Sequence, residues 1–256
     1  MEIRTFGDGG RQRECERRLS ACDMYSPYRE LRLLPIPTSR DGVRISGTDI
    51  MLADVVQSAS EGTFVAGYNI PEPFADGFIS RRACVYDAGF DERFLCANAD
   101  LTARGALGRI LCDLQKDVTE LRIAIIGYGR IGSRLMRYLL FLGAHVTVYT
   151  GREKNCISLA CDGVDARSLF DPRELLSFDL IINTAPAPLI PESVVREMTS
   201  DTRIMDLASG NFVPKHSSFV KLSSIPDTMY PVSAGRLYAE YIAEYLFLRG
   251  GENRLS

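Results

Sequence analysis

Three glycines spaced Gly127-x-Gly129-x-x-Gly132 follow directly on the apolar run Leu121-Arg-Ile-Ala-Ile-Ile126. They precede a segment in which Ile131, Leu135, Leu139 and Leu142 recur at helical spacing. Strand, tight turn and helix in that order suit a pyrophosphate. The first glycine permits the turn, the second lets phosphate oxygens approach the backbone, and the third lets helix and strand pack closely, leaving the phosphates at the helix N-terminus. Cofactor contacts are therefore expected from Gly127, Tyr128, Gly129, Arg130, Ile131 and Gly132. Leu142-Gly143-Ala144 ends the helix, and His145-Val-Thr-Val-Tyr-Thr150 supplies the second strand that such a unit requires.

The residues after that second strand bear on which dinucleotide is held. Asp or Glu there accepts from the ribose 2′-hydroxyl of NAD, whereas cations and small donors suit the 2′-phosphate of NADP. Here the sequence reads Thr150-Gly151-Arg152, with Glu153 one step late and Lys154 nearby. NADP is the expected cofactor, held by Thr150, Gly151 and Arg152; the alternative is that Arg152 and Lys154 are ordinary solvated charges. A later apolar run, Asp179-Leu-Ile-Ile-Asn-Thr-Ala-Pro186, reads as a buried strand that brings Thr184, Ala185 and Pro186 beside the cofactor.

Substrate-side candidates lie upstream. Leu31 to Leu34 reads as a strand running into Pro35-Ile-Pro-Thr-Ser-Arg-Asp-Gly42, and open α/β sheets bind ligands beyond the carboxyl ends of their strands. Thr38, Ser39 and Arg40 offer two hydroxyls and a guanidinium fork to a carboxylate, unless the loop is only a proline-stiffened connection. A helix predicted from about Asp100 or Thr102 puts Asn98 and Thr102 at its start, facing a cleft for substrate or serving as caps.

Composition narrows the partners. A chain of 256 residues with a formal charge of −3 carries no basic excess for nucleic acid or an anionic membrane, so a small molecule is the expected partner. Seven cysteines form no CxxC pair, so no metal site is expected and the thiols are read as reduced. Met-Glu-Ile-Arg opens the chain without a hydrophobic signal core, and no apolar run approaches the ~20 residues of a membrane span. The expected location is the cytoplasm.

In chain order the expected elements are a strand at Ile3–Phe6, a helix at Arg11–Cys22, a helix near Asp49–Ser58, and strands at Thr63–Tyr68 and Cys84–Tyr86. Beyond Arg152 come a helix at Glu153–Cys161, a brief strand near Val164, and a helix start at Asp171-Pro-Arg-Glu174. A helix at Pro191–Met198, strands at Arg203–Ser209 and Lys221–Ile225, and a last helix follow; in that helix Leu237, Tyr241, Tyr245 and Leu248 share a face for core or dimer contact. The fold class is α/β: a doubly wound parallel (Rossmann) sheet over 99–235, preceded by a smaller α/β domain over 1–98, with the helix at 236–250 returning to the smaller domain.

Several ordered motifs resemble those of the A component of dipicolinate synthase. These are Asn98-Ala-x-Leu-Thr-Ala-x-Gly-Ala106, Ile126-Gly-Tyr-Gly-Arg-Ile-Gly132, Leu142-Gly-Ala-x-Val-Thr-Val148, Ile182-Asn-Thr-Ala-Pro186 and Asp206-Leu-Ala-Ser209, with the Leu34–Gly42 loop as a further likeness. The resemblance implies NADP-dependent oxidation of a dihydrodipicolinate-type ring to pyridine-2,6-dicarboxylate in spore-forming bacteria, working with a flavoprotein-like B subunit, and the chain is expected to form a homo-oligomer. It implies Thr102 and Ser233 near the reacting ring and a dicarboxylate substrate. The chain departs from the pattern at Arg104, where an acidic residue is expected, at Gly210-Asn-Phe-Val, at Ile225–Pro231, and in lacking a strand around Met24 to Tyr28.

Two other readings stand beside this one. A 2-hydroxyacid dehydrogenase needs a general base, usually a histidine near the last strand, and His145 and His216 are the only histidines. A non-catalytic NADP(H)-binding or sensing subunit is the other, motivated by the departures.

Overall fold

A computed structural model of the chain describes residues 1–22, 26–113, 116–168 and 171–252. The expected gap in strand structure around Met24 to Tyr28 falls partly on Asp23, Met24 and Tyr25, which lie outside the described residues. The chain divides into two compact units, Met1–Asn98 with Pro226–Ser256, and Ala99–Ile225. Both are parallel sheets flanked by helices, a two-domain Rossmann-like α/β fold.

The first unit runs β1 (Glu2–Thr5), α1 (Gly10–Ala21), β2 (Glu30–Leu33), α2 (Leu52–Gln57), β3 (Thr63–Gly67), α3 (Glu72–Ser80) and β4 (Cys84–Asp87). Its strands are all parallel, in the order β1-β2-β3-β4. Alternating residues split the core: Leu31, Leu33, Phe64 and Ala66 pack with Cys15 and Leu19 of α1, while Val65 faces Leu52, Val55, Val56 and Phe78. Helix α3 was not expected. Pro71 and Pro73 start this helix, because proline in a first turn forfeits only an N–H that has no helical partner.

Helix α4 (Glu92–Asp113) carries the chain into the second unit. It begins well before the expected start at Asp100 or Thr102: Asp91 Oδ1 accepts from Arg93 N at 3.0 Å and Phe94 N at 3.2 Å, capping the helix there. The second unit then runs β5 (Arg122–Ile126), α5 (Arg130–Phe141), β6 (His145–Tyr149), α6 (Glu153–Cys161), β7 (Asp165–Arg167), β8 (Leu180–Asn183), α7 (Glu192–Glu197), β9 (Arg203–Asp206) and β10 (Phe219–Lys221). The parallel order β10-β9-β8-β5-β6-β7 reverses between β5 and β8, so the carboxyl end of β5 lies at a topological switch point. Ile123 and Ile125 pack under α4 and α5, and Ala124, Ile126 and Ile181 pack on the other face with Leu175, Val194 and Val195.

Further differences are local. Asp171 does cap a turn, accepting from Arg173 N at 3.0 Å, but the segment Pro172–Ser177 is a 3-10 turn. The last strand is Phe219–Lys221, and Ile225 opens α8 (Ile225–Met229) instead of ending a strand. Helix α9 (Pro231–Glu252) returns to pack on α1, its buried stripe being Tyr238, Ala239, Ile242 and Leu246, with Leu237, Tyr241 and Tyr245 at its margin and Leu248 exposed. Gly235 is needed there: a Cβ would stand 2.6 Å from the carbonyl of Arg11. Among the described residues no helix is long and apolar enough to cross a membrane, and no cluster of His, Cys, Asp and Glu could hold a metal.

Candidate functional site

The turn at the switch point is built by close contact. Gly127 has φ +102°, a conformation that disfavours side chains, and its N–H donates to Tyr149 O at 2.8 Å. A Cβ on Gly132 would lie 2.2 Å from the carbonyl of Gly127, so only glycine lets α5 approach the strand end. Gly129 differs: nothing lies within 4 Å of the place its Cβ would occupy. It sits at the N-cap of α5, no side chain caps that helix, and its first turn has no acidic residue. Open space over Gly129 and a helix start with neither a capping side chain nor an acidic residue fit a pyrophosphate.

Tyr128 and Ile131 lean on the core of the unit, and Arg130 is exposed at the first turn of α5. Thr184 is engaged with the turn itself. Its hydroxyl donates toward Ile126 O and Gly127 O, both at 3.1 Å, and would lie 2.6 Å from a Cβ on Gly127 and 2.9 Å from one on Gly132. It fastens the loop after β8 to the glycine turn. Asn183 shapes the same loop through its own amide, donating to Ala185 O and accepting from Ala185 N, each at 3.2 Å, which leaves Ala185 and Pro186 at the loop's bend.

At the end of β6, Thr150 is buried and its hydroxyl accepts from Arg152 N at 3.4 Å and Asn155 Nδ2 at 3.3 Å. Thr150 therefore shapes the start of α6, and Arg152, its N-cap residue, is exposed. Arg167 at the end of β7 is engaged by Glu174 and by Asp165 at 3.3 Å, whereas Arg152 has no side-chain partner among the described residues. Gly151 has nothing within 4 Å of its Cβ position. A cation beside open backbone, without a carboxylate directed at it, is what a phosphorylated ribose requires.

The substrate-side candidates separate. Thr38 is fully buried and its Oγ1 accepts from Tyr68 N at 2.9 Å, so it ties two loops together and is corrected from ligand donor to scaffold. Ser39 donates to Asp41 Oδ1 at 3.1 Å at the surface, and Arg40 is exposed beside it. Asn98 and Thr102 lie inside α4 and not at its start, which removes the helix-end argument for both; Asn98 Oδ1 accepts from Arg11 Nη2 at 3.3 Å. Ser233 is half-buried in the first turn of α9, not in a loop. Arg104 pairs with Asp100 at 2.6 Å and donates to Tyr138 Oη at 3.3 Å, and both contacts raise its pKa. His145 starts β6, at the edge opposite the glycine turn, and His216 Nδ1 accepts from Ser218 N at 3.2 Å, so neither histidine is placed as a base.

Residues 101–219 match the family model described as D-isomer specific 2-hydroxyacid dehydrogenase, NAD binding domain. An NAD(P)-binding domain is present. The A component of dipicolinate synthase from Bacillus subtilis (strain 168) is 26% identical over 133 residues, covering 49% of this chain and 45% of that protein. The alignment thus spans less than half of the curated relative. The crystal structure of the dipicolinate synthase A component from Bacillus halodurans superposes with a TM-score of 0.79 at 20% identity, covering 96% of this chain and 97% of that one.

The chain is similar to the A component of dipicolinate synthase.

The corresponding crystal structure from Bacillus subtilis agrees, with a TM-score of 0.77 at 19% identity over 98% of this chain and 97% of that one. At such identities the structural likeness establishes the fold, and with the dehydrogenase-family domain it makes the chain dehydrogenase-like. The dipicolinate synthase likeness read from the motifs is borne out by both kinds of comparison.

Proposed function

We propose that this chain is a divergent dipicolinate synthase A-type oxidoreductase that binds NADP at the turn Gly127–Gly132 and oxidises a dihydrodipicolinate-type ring to pyridine-2,6-dicarboxylate. One observation supports the cofactor half above all. The open backbone at Gly129 is joined by an exposed Arg152 at the end of β6, with no carboxylate directed at it among the described residues. NADP, when bound, supplies the hydride acceptor. Removing a hydride and a proton leaves an aromatic product, so the chain's residues have mainly to bind carboxylates and hold the ring in place. A histidine base is dispensable for that, in keeping with where His145 and His216 lie.

The test is direct. Purified protein is mixed with a dihydrodipicolinate-type substrate made in situ and NADP, with and without a flavoprotein-like B subunit, while the reduced nicotinamide band and the pyridine product are followed. Both signals rising together is the expected result. Tight NADPH binding without turnover in either mixture would replace this reading with that of a non-catalytic NADP(H)-binding subunit, which the departures at Arg104 and after Ser209 motivate.

Arg152→Ala separates the cofactors. Loss of charge-assisted bonds to a 2′-phosphate costs about 2 kcal/mol, so NADPH affinity should fall about 30-fold in a fluorescence titration. NADH affinity should stay within about threefold, since Arg152 has no side-chain partner to lose among the described residues. Equal losses would return Arg152 to the solvated surface.

A further inference from the structure

Arg11 is the second residue of α1, at the carboxyl edge of the first unit's sheet, where ligands of parallel sheets bind. At the start of this helix Gly9 offers no capping side chain and the first turn has no acidic residue, while Gln12 and Pro231 lie against Gly9 and Gly10. The Arg11 guanidinium is 1% exposed. Its Nε lies 2.9 Å from Asp227 Oδ1 in α8 and its Nη2 donates to Asn98. Its Nη1 is buried with no hydrogen-bond partner, and so is the hydroxyl of Tyr238.

An internal ion pair serving stability alone would not leave these groups unsatisfied. Each buried donor without an acceptor costs about 1–3 kcal/mol, more when it is charged. Burial pushes the Asp227 carboxyl's pKa up, against the pull of Arg11 and Arg40.

We propose that Arg11, whose buried Nη1 has no partner at the uncapped start of α1, is a carboxylate-binding site of the first unit. A ligand carboxylate accepts from Nη1 while Asp227 holds the opposite edge of the guanidinium. Arg40, the expected anchor, becomes a secondary cation of this site. The proposal rests on the reading that the substrate is a small carboxylate, and it names the side chain that grips it.

Calorimetric titration of the full chain with dipicolinate, and with pyridine as a ligand lacking carboxylates, tests it. Dipicolinate should bind and pyridine should not. Arg11→Met should lower dipicolinate affinity at least 30-fold, Arg11→Lys, which keeps the charge but loses the fork, about tenfold, and Asp227→Asn should raise it several-fold by removing a competing anion. NADPH affinity, measured alongside, should be unchanged in all three. Wild-type affinity in both Arg11 variants overturns the proposal, as does failure of wild type and Asp227→Asn alike to bind dipicolinate. Dipicolinate binding through Arg11 without turnover would sink the proposed reaction and leave this site standing, whereas turnover that survives Arg11→Met would do the reverse.

Discussion

Gly132→Ala is expected to abolish measurable NADPH binding and to destabilise the protein by about 3 kcal/mol, while Gly129→Ala leaves stability within about 0.5 kcal/mol of wild type and weakens NADPH at least tenfold. The two substitutions add the same methyl to the same turn. At Gly132 the methyl meets the backbone carbonyl of Gly127 at 2.2 Å, and that carbonyl cannot move without opening the turn between β5 and α5. Alanine would gain up to about 1 kcal/mol of helix propensity over glycine at that position, which is less than the clash costs. At Gly129 the backbone is extended, with φ −94°, and the methyl enters open space, so the folded chain tolerates it. That space is where phosphate oxygens must come. Thermal melts and NADPH fluorescence titrations of both variants check this. Unimpaired binding by Gly129→Ala would mean that no pyrophosphate lies over that glycine.

This asymmetry explains what was legible in the sequence. The glycine turn is local: strand, turn and helix follow one another without interruption, and each glycine's role follows from its spacing. Arg11 is the opposite case. It sits in the charged run Arg11-Gln-Arg-Glu-Cys-Glu-Arg-Arg18, and its burial depends on residues distant in sequence: α9 packs on α1, and Asn98 and Asp227 meet the guanidinium. A signal was the i, i+4, i+8 stripe Arg11, Cys15, Leu19, which lies on the buried face of α1. Helix α4 was missed in its first turns because Asp91 and Glu92 look like loop residues until the carboxylate of Asp91 is seen to accept from the backbone. Thr184 was recognised as belonging near the turn, but sequence spacing cannot tell a hydroxyl facing a ligand from one facing two backbone carbonyls.

Asp206→Ala should have the largest effect on stability, because Asp206 fastens the carboxyl ends of three neighbouring strands. The carboxylate is 0% exposed. It accepts from Asn183 Nδ2 at 2.8 Å at the end of β8, from Ala208 N at 3.1 Å in its own loop, and from Lys221 Nζ at 2.7 Å at the end of β10. Lys221 in turn donates to Ala208 O at 2.6 Å and to Gly210 O, so the loop after β9 is closed around the ammonium. Removing one partner of a buried ion pair costs about 3–5 kcal/mol, because the other charge is left without compensation, and a loss of that size lowers the unfolding midpoint by roughly 10 °C in a domain of this size. Lys221→Met should cost less, since Asp206 keeps two N–H donors and a half-exposed ammonium loses less than a buried carboxylate. A drop of less than about 1 kcal/mol in Asp206→Ala would show that the network is not under load. Because Asn183 also orients Ala185, the same variant tests the cofactor crevice: NADPH affinity measured well below the new midpoint should fall with the loss of that anchor, and an unchanged value would place Ala185 and Pro186 away from the dinucleotide.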